Sequence, residues 1–265
     1  MPELAEVAWF AKQWNPGLGF EVTEVRCHPK ARIYRLASAT RIQGGLTGLR
    51  MNKILTRGKQ MTFGFGKAHL GLHLGMTGSL LLKDAGYIPE RHDHLVIRQS
   101  GRSLVFRDPR MFGVLRLEGS GHPQWLRSAP PEVVSDGFTK VALEGYARRR
   151  GGAPLKSFLL QQEMFPGIGN WMADEILWRG GFYPGERVGT LEPSQIETIW
   201  REIRQVSRAA LSIIGSRGDD PPKSWLFPHR WRPGGKCPKD GAVLCRHKFG
   251  GRTTAWCPTC QAPQS

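Results

Sequence analysis

The 265-residue sequence is short of cysteine, short of acidic side chains and without any long apolar run. It has five Cys, and four of them fall in the last 29 residues. That placement excludes a disulfide framework for the chain as a whole and points to a metal site near its end. Cys27 stands alone and reads as a structural thiol. No stretch of 18 consecutive apolar residues occurs, so no membrane span is expected. No apolar run follows Pro2-Glu3 either, so no secretory leader is expected and a cytoplasmic location is. There is no internal repeat. Against 22 Asp and Glu stand 38 Lys and Arg, a formal charge of +16 for which a polyanionic partner is the simplest reason. A hydrophobic fraction of 40% with nine Trp indicates a folded chain. Its length allows two domains with their own cores.

Along the chain, residues 3–14 read as a helix. Leu4, Val7, Ala8, Ala11 and Trp14 share a face, and the carboxylates of Glu3 and Glu6 sit in the first turn. Residues 20–118 alternate glycines with short apolar stretches, notably Gln60–Phe65, Leu80–Leu82, His94–Ile97, Ser103–Phe106 and Val114–Leu117. That spacing predicts a β-sandwich or barrel. Gly119–Pro131 reads as a connector. Helices are expected over 132–215, among them Lys156–Met164 and Asn170–Trp178. Ser194 and Glu197 suggest a capping box for a long helix striped by Ile196, Ile199, Trp200, Ile203, Val206, Ala210 and Ile213. Residues 216–236, rich in Pro and Gly, read as an irregular loop. The expected fold is therefore α+β and multidomain: a β-sandwich with a flanking helix over 1–120, a helical domain over 132–215 and a β-hairpin finger over 232–265.

Several short motifs carry chemistry, and each also has a plainer reading. Pro2, with Met1 removed, is a secondary amine able to attack an aldehyde-level carbon, or simply a helix opener. Glu3 beside it is a proton-transfer candidate or an ordinary first-turn residue. His73-Leu74-Gly75-Met76-Thr77-Gly78-Ser79 places Met76 in a loop, as a wedge between bases or as a buried turn residue. Arg107-Asp108-Pro109-Arg110-Met111-Phe112-Gly113 offers Phe112 for stacking and Arg110 for the gap left by an extruded nucleotide; alternatively Phe112 is core. Arg57-Gly58-Lys59 is a basic turn, a phosphate contact or merely solvated. Pro166-Gly167-Ile168-Gly169-Asn170 joins two helices as a plain helical hairpin or as an anion-binding helix start.

Near the C-terminus, Cys237-Pro-Lys-Asp240 and Cys257-Pro-Thr-Cys260 are separated by 16 residues, room for two strands and a turn. Both short-spaced pairs can converge on one tetrahedral zinc. Cys237, Cys257 and Cys260 are the expected ligands. Asp240 stands fourth, with Cys245 a softer alternative and His247 more distant. Gly250-Gly251 would make a tight tip that presents Arg252 outward, toward a phosphate or a groove.

In this order the motifs resemble the formamidopyrimidine-DNA glycosylase and endonuclease VIII family over essentially the whole chain. Pro2-Glu3-Leu4-Ala5-Glu6-Val7 is similar to that family's Pro-Glu-Leu-Pro-Glu-Val start. The other signatures are Arg57–Lys59, His73–Ser79, Asp108–Gly113, Gly167–Asn170 with Glu175, and Gly251–Thr254. The resemblance implies a β-sandwich, a helix-two-turn-helix domain and a zinc finger, with damaged double-stranded DNA held in the cleft between them by a monomeric, nucleoid-associated bacterial enzyme with one structural zinc. It implies that Pro2 attacks C1′ of a damaged nucleotide, that Glu3 is the general acid/base, that β,δ-elimination follows, and that Glu6 lies in the substrate pocket. Lys59 belongs to the catalytic group and grips phosphate with Asn170 and Arg252. Met76, Arg110 and Phe112 intercalate, and His73 and Lys156 also contact DNA. Met111 departs from the family's usual Arg, Gln161 from its Asp or Asn, and Ala5 from its Pro. The segment Trp225-Leu226-Phe227-Pro228-His229-Arg230-Trp231 is unusual. The function expected is a bifunctional base-excision glycosylase and abasic-site lyase acting on 8-oxoguanine and formamidopyrimidines. Its alternatives are an endonuclease VIII-like enzyme for oxidised pyrimidines or single-stranded lesions, and a non-catalytic binder of damaged or branched DNA.

Overall fold

The computed structural model describes residues 1–28 and 31–263. These form two compact units: one takes in Met1–Pro2 and Glu6–Ala129, the other Glu3–Ala5 and the chain from Pro130 onward.

In the first unit, two four-stranded antiparallel sheets share one core. The first runs in the order β1 (Val22–Cys27), β6 (Asp93–Gln99), β7 (Arg102–Arg107), β5 (Ser79–Asp84). The second runs β2 (Met51–Arg57), β3 (Gln60–Phe65), β4 (Ala68–His73), β8 (Val114–Glu118). The side chains of Met61, Phe63, Phe65, Leu104 and Phe106 are buried with Trp14, whose ring lies 4.6 Å from that of Phe63. Each such side chain contributes about 1.5–3 kcal/mol on burial. Helix α1 (Leu4–Lys12) precedes them. Helix α2 (Ala39–Leu46) is absent from the sequence reading, because Gly44 and Gly45 weaken its helical signal. It forms because the Ser38 hydroxyl caps the Arg41 amide at 3.2 Å and Ile42 and Leu46 bury one face. The expected connector Gly119–Pro131 is also more than a linker. It holds α3 (Gln124–Arg127), whose buried Trp125 donates its indole N–H to Thr62 at 2.9 Å.

The second unit packs α4 (Lys140–Arg149), α5 (Leu155–Leu159), α6 (Asn170–Gly180) and α7 (Pro193–Ala210) with the hairpin β9 (Cys245–Phe249) and β10 (Arg252–Trp256). The α7 stripe is core: Ile199, Ile203, Val206 and Ala210 are buried, and Ile196, Trp200 and Ile213 pack at its edge. Its capping box is Glu192 with Gln195, not Ser194 with Glu197. Pro193, pre-set for the first helical position, fixes the start two residues earlier. The helix expected over 156–164 ends at Leu159 instead. Beyond it the chain turns so that Phe165 reaches full burial against Phe158 and Tyr146, at ring separations of 5.0 and 6.1 Å. No helix among the described residues is long and apolar enough to cross a membrane.

Candidate active site

Glu3 is not in the first turn of α1; it precedes that helix and serves another. Only 2% exposed, it directs its carboxylate at the N-terminus of α6, accepting from the amides of Gly169 and Trp171 at 2.9 Å each and from Met172 at 3.1 Å. These are donors that no side chain of α6 itself caps. The negative charge also lies where the helix dipole favours it. The arrangement requires glycine at 169, since a Cβ there would come within 2.3 Å of the Glu3 carboxyl carbon. The Leu4 amide donates to Gly167 O at 3.0 Å and adds a second tie to the same turn. That turn is closed by Gln162, whose side chain accepts from the Gly167 amide at 3.2 Å and donates to Ile168 O at 2.7 Å. The sequence reading had singled out its neighbour Gln161, which accepts instead from the Tyr146 hydroxyl. Pro2 and Glu6, both half-buried, belong to the first unit.

In the first unit the two expected wedges come together. Met76 and Phe112 are 37% and 46% exposed, so neither is the core residue of its plainer reading. The organiser is Asp108, fully buried; the sequence places it at the start of the motif, with a turn signal in Asp-Pro, but does not show that it links the two loops. Its carboxylate accepts from the Thr77 hydroxyl at 2.8 Å, the Gly113 amide at 2.7 Å and the Arg110 amide at 3.3 Å, tying one loop to the other. Gly75 permits the contact, since a Cβ there would lie 2.5 Å from the Phe112 carbonyl carbon. The Arg110 guanidinium stacks 4.7 Å from the Phe112 ring centre. Met111 adopts φ +53, rare for a side chain with a Cβ. His73 Nδ1 accepts from the Gly75 amide at 3.0 Å, which fixes it as the unprotonated nitrogen. Burial first, then the charges of Lys59, Arg116 and Arg35, lower the His73 pKa. Lys59 sits in the β2–β3 turn, next in the chain to Gln60, which pairs with His73 of β4.

Lys156 requires a correction. Expected at the DNA surface, it is wholly buried on α5, and its ammonium donates to Asp174 and to Asn170 O, both at 2.5 Å. Burial pushes that ammonium below its ordinary value, and the Asp174 charge opposes the push. Asp174 also accepts from Arg230 Nη2 at 2.5 Å and Nε at 2.9 Å, and from the Ala255 amide of β10 at 3.1 Å. One carboxylate thus gathers α5, α6, the 216–236 segment and the hairpin. Asn170 opens α6 and donates to Thr253 O at 2.9 Å. Gly250 and Gly251, at φ +55 and +75, form the hairpin tip and leave Arg252 exposed.

Cys237, Asp240, Cys257 and Cys260 place one ligand atom each within 4.8 Å of one another. Cys245 lies on β9 opposite Trp256, outside the group. A zinc–sulfur bond of about 2.3 Å in a tetrahedron separates sulfurs by about 3.8 Å, and the Cys237–Cys260 separation is 3.9 Å. Asp240 Oδ2 lies 3.2 Å from both Cys257 and Cys260 sulfurs. The donor set therefore suits a tetrahedral ion. The Ala242 amide, at 2.9 Å, and the two thiols hold the Asp240 carboxyl well below the usual range. Trp178 Nε1 donates to Cys237 Sγ at 3.3 Å, a second layer of support.

The formamidopyrimidine-DNA glycosylase N-terminal domain matches residues 1–115, and the formamidopyrimidine-DNA glycosylase H2TH domain matches 130–219. The formamidopyrimidine-DNA glycosylase of Roseiflexus sp. is 33% identical over 98% of this chain and 100% of its own length. That of Thermus thermophilus is 33% identical over 98% of both. Among solved structures, MutM in complex with DNA containing carbocyclic 8-oxo-G superposes with a TM-score of 0.89 at 26% identity, covering 99% of this chain and all of its own. The Lactococcus lactis enzyme bound non-covalently to abasic-site DNA gives 0.86 at 26%, covering 98% and 100%. With these two domains in order and relatives at 33% identity over nearly its whole length, the chain belongs to the formamidopyrimidine-DNA glycosylase family of DNA-repair enzymes.

Proposed function

We propose that the chain is a bifunctional glycosylase and abasic-site lyase that removes oxidised purines, 8-oxoguanine and formamidopyrimidines, from damaged duplex DNA, working as a monomer. The supporting observation is the buried Glu3 carboxylate, fixed by three amides of the α6 turn and one peptide bond from Pro2. Freed of Met1, Pro2 is a secondary amine whose lone pair attacks C1′. The glycosidic bond breaks and the base leaves with a proton. Pro2 loses its N–H proton and Glu3 protonates O4′ as the C1′–O4′ bond opens, leaving the ring-opened sugar joined to Pro2 as an iminium. The resulting iminium acidifies C2′, whose deprotonation expels the 3′ phosphate, and a second elimination expels the 5′ phosphate. Met76, Arg110 and Phe112, held by Asp108, offset the few kcal/mol of unstacking. Lys59, His73, Asn170 and Arg252 hold phosphates, and Glu6 faces the base. Cys237, Asp240, Cys257 and Cys260 would hold zinc, which would supply a structural cross-link at the base of the hairpin.

Borohydride trapping on an abasic duplex tests this reading. A covalent adduct is expected from the native protein, a strongly reduced one from Pro2→Gly, and no base excision from Glu3→Gln. Native adduct yield in Pro2→Gly would refute the assignment of the nucleophile. A second reading, oxidised pyrimidines, draws support from the 221–231 segment, which is pinned by Trp225 and Arg230 and so poorly suited to fold over a purine. Incision rates on 8-oxoguanine against thymine glycol separate the two.

A further inference from the structure

The segment Pro221–Lys236 contains Lys223, Arg230, Arg232 and Lys236 and not one carboxylate. Most of its large apolar side chains are used inward. Trp225 and Leu226 are buried, and Phe227 meets Trp171 edge to face at 5.0 Å. Arg179 stacks 4.2 Å from the Trp225 ring centre while donating to Glu175, which also accepts the Phe227 amide at 3.2 Å. Trp231 is the exception, with 52% of its surface exposed. It is nevertheless held in place. The Arg230 guanidinium lies 4.6 Å from its ring centre, itself anchored by two bonds to the buried Asp174. The Phe227 ring meets it at 5.3 Å and 82°.

We propose that Trp231 is a stacking platform for an unpaired nucleobase of DNA. A large aromatic surface left in water, braced by Arg230 and Phe227 and followed by the exposed Arg232, is what sequence-tolerant recognition of single strands uses: the ring meets the base while an exposed cation meets the backbone. Because Trp231 is pre-positioned, little freedom is lost when a base settles on it. This inference rests on DNA as the partner and is independent of the lyase chemistry assigned to Pro2.

Fluorescence anisotropy with the full chain, a labelled oligothymidine and an undamaged duplex of the same length tests it. Trp231→Leu keeps apolar bulk and loses the ring; Trp231→Phe keeps a ring. Trp231→Leu is expected to weaken single-strand affinity by about tenfold, the order expected for one base stack. Trp231→Phe should stay within about threefold of native, duplex affinity should hardly change, and trapping on an abasic duplex should persist. Native single-strand affinity in Trp231→Leu overturns the proposal. So does an equal loss on duplex, or an equal loss in Trp231→Phe, since either would mark the residue as structural. Absent trapping with the single-strand effect intact would instead count against the lyase reading alone.

Discussion

Three buried carboxylates do different jobs at the residue scale. Glu3 holds a helix start, Asp108 joins two loops, and Asp174 neutralises two cations. Asp108→Ala leaves the amides of Gly113 and Arg110 and the Thr77 hydroxyl without their acceptor; a loss of about 3 kcal/mol is expected from unmade buried bonds. Urea melts check the stability, and reduced excision at native abasic-site trapping would show that the loops of Met76 and Phe112 have loosened. His73 and His94 set an acid limit. Burial is the main cause that lowers both below the ordinary 6.5. Above about pH 6.5 the rings are neutral in folded and unfolded chains alike, and no penalty arises. As pH falls through that value the unfolded chain takes up protons first, so stability declines until the folded rings also protonate. Melting temperatures between pH 7 and 5 should therefore fall, and the fall should be shallower in His73→Gln.

At the scale of elements, α6 is the structural hub. Removing the Asp174 carboxylate would strand Lys156 and Arg230 as buried cations, and Asp174→Ala is expected to cost about 3–5 kcal/mol. Denaturant unfolding measures it, and a neutral result would mean that water solvates both cations. This hub explains what the sequence could and could not reveal. Strands with clean alternation were legible, and β3 falls on the residues expected, 60–65. The α7 stripe was legible through its 3.6-residue period. The short-spaced pairs marked a cluster by the hairpin, and of the two fourth members the sequence left open it is Asp240, not Cys245, that stands with Cys237, Cys257 and Cys260 in a group able to hold a metal ion. Asp174 was not, because its partners lie 18, 56 and 81 residues away and leave no local pattern. For the same reason Lys156 read as a surface cation. Helix ends failed where tertiary packing overrode propensity, as at Leu159, where Phe165 is drawn into the aromatic cluster.

At the scale of the whole molecule, the +16 charge predicts binding that weakens steeply with salt. Arg252→Ala should lower affinity uniformly across sequences and reduce the slope of log affinity against log salt by about one, measured by titration at several salt concentrations. Stripping the metal with a chelator should unfold the hairpin and remove that same contribution, while the sandwich keeps its melting transition; unchanged binding after complete metal loss would free the hairpin from any DNA role. The distribution of the first residues between the units has a practical consequence. A gene split or proteolytic nick after Ala129 follows the visible seam, yet it would separate Glu3 from the amides that hold it, because residues 3–5 are built into the other half. Cutting the chain at that point would divide a helix start from the carboxylate that satisfies its amides.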